Sequence, residues 1–103
     1  MGFECIGEII ATRKLYFIDE SDTKRTVSVF VGLPQRSQDS SDYQCPFQII
    51  GIGSQGTNVA NGSDSIEALQ SAMTLIGENL NHLNNELAGR LKWNGDANDL
   101  GFP

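Results

Sequence analysis

From Asp64 to Gly89 the chain reads DSIEALQSAMTLIGENLNHLNNELAG, and within it Ile66, Leu69, Met73, Ile76, Leu80, Leu83 and Leu87 recur at alternating steps of three and four. Apolar residues at that spacing share one face of a helix. The run therefore predicts a single helix of about six to seven turns. Asp64 stands where an N-cap belongs, with Glu67 three residues on as its capping-box partner. Gly89 is the expected stop, and Arg90 suits the negative end. The same spacing suits a coiled-coil seam. However, the flanking Gln70, Ala72, Gly77, Asn79, Asn84 and Glu86 include only one charged residue, too few to set pairing. The stripe is thus expected to lie on the protein's own sheet, and any functional surface of the helix on its other side.

Upstream, residues 8–19 are rich in β-branched and aromatic types and read as a long strand. Residues 20–24 are turn formers. From Arg25 to Leu33 the pattern alternates, with Val27, Val29, Val31 and Leu33 on one face and Phe30 breaking the polar side. That is a half-buried strand, and the pair forms a hairpin. Pro34 ends it, and residues 35–44 read as a polar, mobile loop. Residues 45–52 form a third strand with Pro46 near its start. Thr57 to Ala60 read as a short fourth, with Asn61-Gly62 as a turn. The fold class expected is α+β: an antiparallel meander of three to four strands packed on one long C-terminal helix, a single domain over residues 1–103. A helix of about 25 residues spans ~37 Å and a strand of about 11 residues ~36 Å, so one helix is expected to cover the inner face.

Composition narrows the function classes. The 103 residues are 39% hydrophobic, ordinary for one folded domain. The net charge is −6, and the pI is about 4.5. Seven basic residues, with only Arg13-Lys14 and Lys24-Arg25 as doublets, argue against nucleic acid, whose affinity comes from clustered cations. No apolar run approaches the ~20 residues of a membrane span, and Met-Gly-Phe-Glu-Cys shows no basic n-region or apolar h-region, so no secretion signal is expected. A cytoplasmic protein without membrane contact is expected. Cys5 and Cys45 are expected as free thiols.

Few motifs carry chemistry. Gly51-Ile52-Gly53-Ser54-Gln55-Gly56 fits G-x-G-x-x-G, but it does not open directly into a helix, so it reads as a strand end rather than a dinucleotide loop. Cys45 lacks a base, because the one histidine, His82, falls about 140° from the stripe centre at 100° per residue. Two cysteines and one histidine give no metal-ligand cluster. No cofactor, metal or catalytic residue is expected. On the helix, Ala68, Leu75, His82 and Gly89 recur every seven residues on a second row. Leu75 amid small residues is a candidate interface anchor, with His82 and Ala68 beside it.

The tail holds the single Trp and is too aromatic to hang loose. Leu91-Lys92-Trp93 is expected to pair with or pack on the domain. Tyr43, the Cys45-Pro46-Phe47 strand start, Ala68-Leu69-Gln70, Trp93-Asn94-Gly95 and the ending Asp99-Leu100-Gly101-Phe102-Pro103 together resemble a family of short bacterial proteins classed as a domain of unknown function. The resemblance covers roughly residues 8–103. It implies a bacterial cytoplasmic protein and supplies no activity. Trp93 and Phe102 are expected to latch the core, with Gly101 allowing the turn. The function expected is a non-enzymatic interaction module with a protein partner or a second copy: an adaptor, assembly subunit or immunity-type protein. The alternative is a small enzyme or ligand-binding domain whose pocket lies between the 35–44 loop and the tail, lined by Tyr43, Cys45, Trp93, Asp99 and Phe102.

Overall fold

The computed structural model describes residues 6–38, 41–52, 56–94 and 99–102. Five strands are followed by one helix: β1 (Ile9–Ile18), β2 (Lys24–Gly32), β3 (Gln35–Arg36), β4 (Tyr43–Ile50), β5 (Asn58–Gly62) and α1 (Ser65–Glu86). Cys5, Gly53 to Gln55, Gly95 to Asn98 and Pro103 fall outside the described residues.

The architecture is the expected α+β one. β1 pairs antiparallel with β2, and β2 with β4. Tyr43 of β4 pairs with both Arg36 and Gly62, and Phe47 with both Val31 and Asn58. β2 and β3 therefore share one edge of β4, and β5 takes the other. Asp19 builds the β1–β2 turn. Its carboxylate accepts from the Ser21 and Thr23 amides (2.8 and 2.9 Å) and from Arg25 Nε (2.7 Å). Arg25 and the two amides hold this carboxyl below its usual range.

Several boundaries differ from the sequence reading. β2 ends at Gly32, leaving Leu33 exposed. The loop after Pro34 contributes β3, and Tyr43 and Gln44 already belong to β4. Asn61 and Gly62, expected to turn, pair with Gln44 and Tyr43 instead. Gly62 is needed there for close approach: a Cβ would collide with the backbone of Glu67 and Ala68 at the helix start.

The N-cap is as the sequence predicts. Asp64 Oδ1 accepts from the Glu67 amide (2.7 Å), and Glu67 Oε1 reaches back to the Ser63 amide (2.8 Å). The helix ends at Glu86, and the Gly89 amide closes back on the Asn84 carbonyl (2.9 Å). Arg90 Nε donates to the Leu87 carbonyl (2.8 Å).

The stripe lies on the core as expected, with Ile76 and Leu80 fully buried, but its deepest contact also includes two alanines outside it. The fully buried row is Ala68, Ala72, Ile76 and Leu80, a ridge of steps of four. Leu69, Met73, Leu83 and Leu87 are half-buried beside it, and Ile66 is 67% exposed. Two small residues at the N-terminal end let α1 sit down on β5. This rotates the contact toward the Ala68 side. Among the described residues, α1 packs chiefly on β4 and β5. The β1–β2 half of the inner face is covered by the tail, where Leu91 and Leu100 are buried and Trp93 and Phe102 pack against the core. The inner face thus has two covers, a helix and a tail, rather than one.

Candidate functional site: the outer edge of β1

In β1, even-numbered residues from Thr12 onward face away from the core and odd ones toward it, so the neighbours Arg13 and Lys14 part to opposite faces. Arg13 goes under the tail. Its guanidinium lies between two rings, 4.0 Å from the Trp93 centroid and 4.8 Å from that of Phe102, and Nη1 donates to the Leu100 carbonyl (3.1 Å). Gly101 makes the stack possible. Its φ is +83°, and a Cβ would collide with the Arg13 guanidinium and come within 2.7 Å of the Trp93 ring. Asp99 Oδ1 accepts from the Gly101 amide (2.8 Å) and fixes the turn. The tail is an aromatic latch closed on a cation.

Between latch and helix an apolar cleft opens. Val29 and Val31 floor it, Met73 and Phe102 wall it, and Ala11 to Arg13 form its rim. Ala11 is the smallest side chain on that rim and lies on β1, the edge strand.

The edge itself is partly paired. The Lys92 amide donates to the Tyr16 carbonyl (2.8 Å), and the Tyr16 amide to the Lys92 carbonyl (3.0 Å). Tyr16 thus turns both backbone groups outward. By the alternation of an antiparallel ladder, Lys14 and Thr12 do the same. Both residues are exposed, and among the described residues nothing pairs with their outward groups. A bulge between Ile9 and Ala11 ends the regular edge, with Ile9 and Ile10 exposed.

The outer face of the sheet has its own pattern. Lys14, Tyr16 and Lys24 lie on it, with Lys92 brought to the same side by its pairing with Tyr16. Lys24 Nζ sits 4.6 Å from the Tyr16 ring centroid. No strand position on this face is a carboxylate. Glu8 precedes β1, and Glu20 and Asp22 occupy the turn after it.

The residues singled out from sequence fare differently. Trp93, Phe102 and Asp99 do come together. Tyr43 and Cys45 do not join them. Arg13 lies opposite Val29 and Val29 opposite Ile49, six residues along β4 from Tyr43, or ~20 Å. Cys45 is fully buried, with Sγ 3.5 Å from the Gly32 carbonyl oxygen, and burial pushes its thiol pKa up. It is a core thiol. Ala68 is also fully buried, so it is absent from the surface row with Leu75 and His82. Leu75 is 38% exposed. His82 is exposed and lies 3.3 Å from Glu86 Oε1. Among the described residues no group of three or more His, Cys, Asp or Glu could hold a metal ion. None of the described helix is long and apolar enough to cross a membrane. Gly51, at the end of β4, packs on the Thr26 backbone, a structural place for the first glycine of the G-x-G-x-x-G run.

Sequence reading missed Ala11, Arg13, Lys14 and Met73 as one site. The available signal was the Arg13-Lys14 doublet inside a strand, since adjacent strand residues must serve opposite faces.

Comparison with known proteins places the chain in a family. A family profile described as a domain of unknown function (DUF6968) matches residues 11–103, and the chain belongs to that family. No curated protein and no solved structure matches it.

Proposed function

We propose that this member of a family of unknown function is a non-enzymatic interaction module that takes an extended segment of a partner protein onto the outer edge of β1. One observation carries this reading: the edge already accepts a backbone partner at Tyr16, through paired hydrogen bonds with Lys92, and continues outward-facing at Lys14 and Thr12. An added strand gains affinity from such main-chain bonds and specificity from pockets that receive alternate side chains. The cleft beside Ala11 is a pocket of that kind. The rest of the sheet supplies rigidity, because β1 is anchored along its inner side to β2.

A second copy fits this edge poorly. Antiparallel self-pairing would bring two Lys14 and two Arg13 side chains within cross-strand reach, and like charges there are destabilising. Thr12→Pro tests the reading. It removes the outward Thr12 N–H while sparing the bonds to β2, and proline is tolerated on an edge strand. Synthetic decapeptides with strand-forming sequences are titrated against wild type and Thr12→Pro by fluorescence anisotropy, with circular dichroism confirming the fold. Binding by wild type that is lost in Thr12→Pro supports edge addition. Equal binding by both proteins, or none by wild type, overturns it.

A further inference from the structure

Resting on the β1-edge reading, we propose that the segment received there is acidic on one face and apolar on the other, with an acidic residue opposite Lys14 and an apolar residue opposite Ala11. Three observations combine. A strand added beside β1 alternates its side chains between the two faces of the sheet. On the outer face it meets Lys14, with Lys92 and Lys24 around Tyr16 and no carboxylate among the strand positions. On the inner face it meets Ala11 and, past that short side chain, the floor of Val29 and Val31.

The charge pattern selects the partner. The chain carries −6 overall, yet Lys14, Lys24 and Lys92 collect on one face whose strand positions hold no carboxylate. Arg13 and Arg25 are engaged elsewhere, Arg13 in the latch and Arg25 with Asp19. An edge unpaired among the described residues, bordered by lysines and set in an acidic protein, attracts an acidic segment and repels a basic one.

Register then gives spacing. Residues opposite Lys14, Arg13, Thr12 and Ala11 are consecutive in the partner. The first and third project to the lysine face, and the second and fourth to the inner face. The second lies beside the Trp93–Arg13–Phe102 stack, where a small side chain fits. The fourth passes over Ala11 into the cleft. An antiparallel partner therefore carries acidic–small–acidic–apolar.

The test uses three fluorescent decapeptides with the cores Glu-Ser-Glu-Leu, Lys-Ser-Lys-Leu and Glu-Ser-Glu-Ser, titrated against wild type, Lys14→Glu and Thr12→Pro. Wild type should favour the first over each of the others by about tenfold. Lys14→Glu should reverse the preference between the first two. Equal binding of all three peptides by wild type, lost in Thr12→Pro, overturns the acidic–apolar assignment and leaves edge addition standing. No binding of any peptide overturns both. A single-stranded oligonucleotide bound better than every peptide, with Thr12→Pro without effect, overturns the assignment in favour of phosphate recognition by the lysines.

Discussion

Gly101→Ala is the most informative single change in the latch. At φ +83° an alanine costs ~1–2 kcal/mol, because its Cβ crowds the neighbouring carbonyl. That Cβ also needs space held by the Arg13 guanidinium and the Trp93 ring. One of them must leave the stack, at a further ~0.5–2 kcal/mol for the lost cation–π contact. The total of ~1.5–4 kcal/mol lowers the midpoint of a domain this size by about 6–32 °C, at ~4–8 °C per kcal/mol. Thermal and urea unfolding followed by fluorescence of Trp93, the single tryptophan, reads both stability and stack. A double-mutant cycle with Arg13→Ala separates the two costs. With Arg13 shortened, Trp93 has room to yield and Gly101→Ala keeps only its backbone cost of ~1–2 kcal/mol. Equal losses in both backgrounds, within ~0.5 kcal/mol, would show that Gly101 serves the turn alone and that the packed latch is incorrect.

Three further outcomes follow from the packing and charge. Leu80→Ala, on the fully buried ridge, should cost ~2–5 kcal/mol in urea titrations, whereas Ile66→Ala should cost under ~1 kcal/mol, partly offset by alanine's helix propensity. In a Cys5→Ser background, Cys45 should resist a thiol-specific disulfide reagent in the folded protein and react fully in denaturant, because burial disfavours its thiolate. Asp19 has its folded pKa lowered from 3.8, chiefly by Arg25, so its contribution to stability is complete above the unfolded value and lost as pH falls through the folded one. Wild type should therefore lose stability more steeply than Asp19→Asn below about pH 4, measured by urea titration along the acid limb.

The α+β class, the antiparallel hairpin of the first two strands and the Asp64–Glu67 cap were legible in the chain because each depends on local pattern: alternation of valines, helical periodicity, cap chemistry. The part that Ala68 and Ala72 play in the packed face of α1 was not. A heptad of large residues outweighs alanines on any hydropathy reading, yet close approach to β5 favours small side chains, so Ala68 and Ala72 define the contact. The burial of Ala68 changed the candidate site. It removed Ala68 from the surface, and the tail covers the other half of the sheet. Trp93, Phe102 and Asp99 were legible as a group because they sit close together in sequence. Their cation, Arg13, lies 87 residues from Leu100, whose carbonyl it meets, and no local pattern announces a contact at that separation. Tyr43 and Cys45 were grouped with the tail by composition, whereas strand register sets them apart along β4.

The β1 edge, unpaired at Thr12 and Lys14 among the described residues, is the premise on which the binding account stands, and amide hydrogen exchange of the unliganded protein, resolved by residue, tests it directly. Arg13 and Leu15 should exchange slowly through their bonds to β2, and Tyr16 through its bond to Lys92. Thr12 and Lys14 should exchange fast, with protection at or near that of an open strand edge. Slow exchange at Thr12 and Lys14, equal to that of Arg13 and Leu15, would mean that the edge is already covered and would contradict strand addition there.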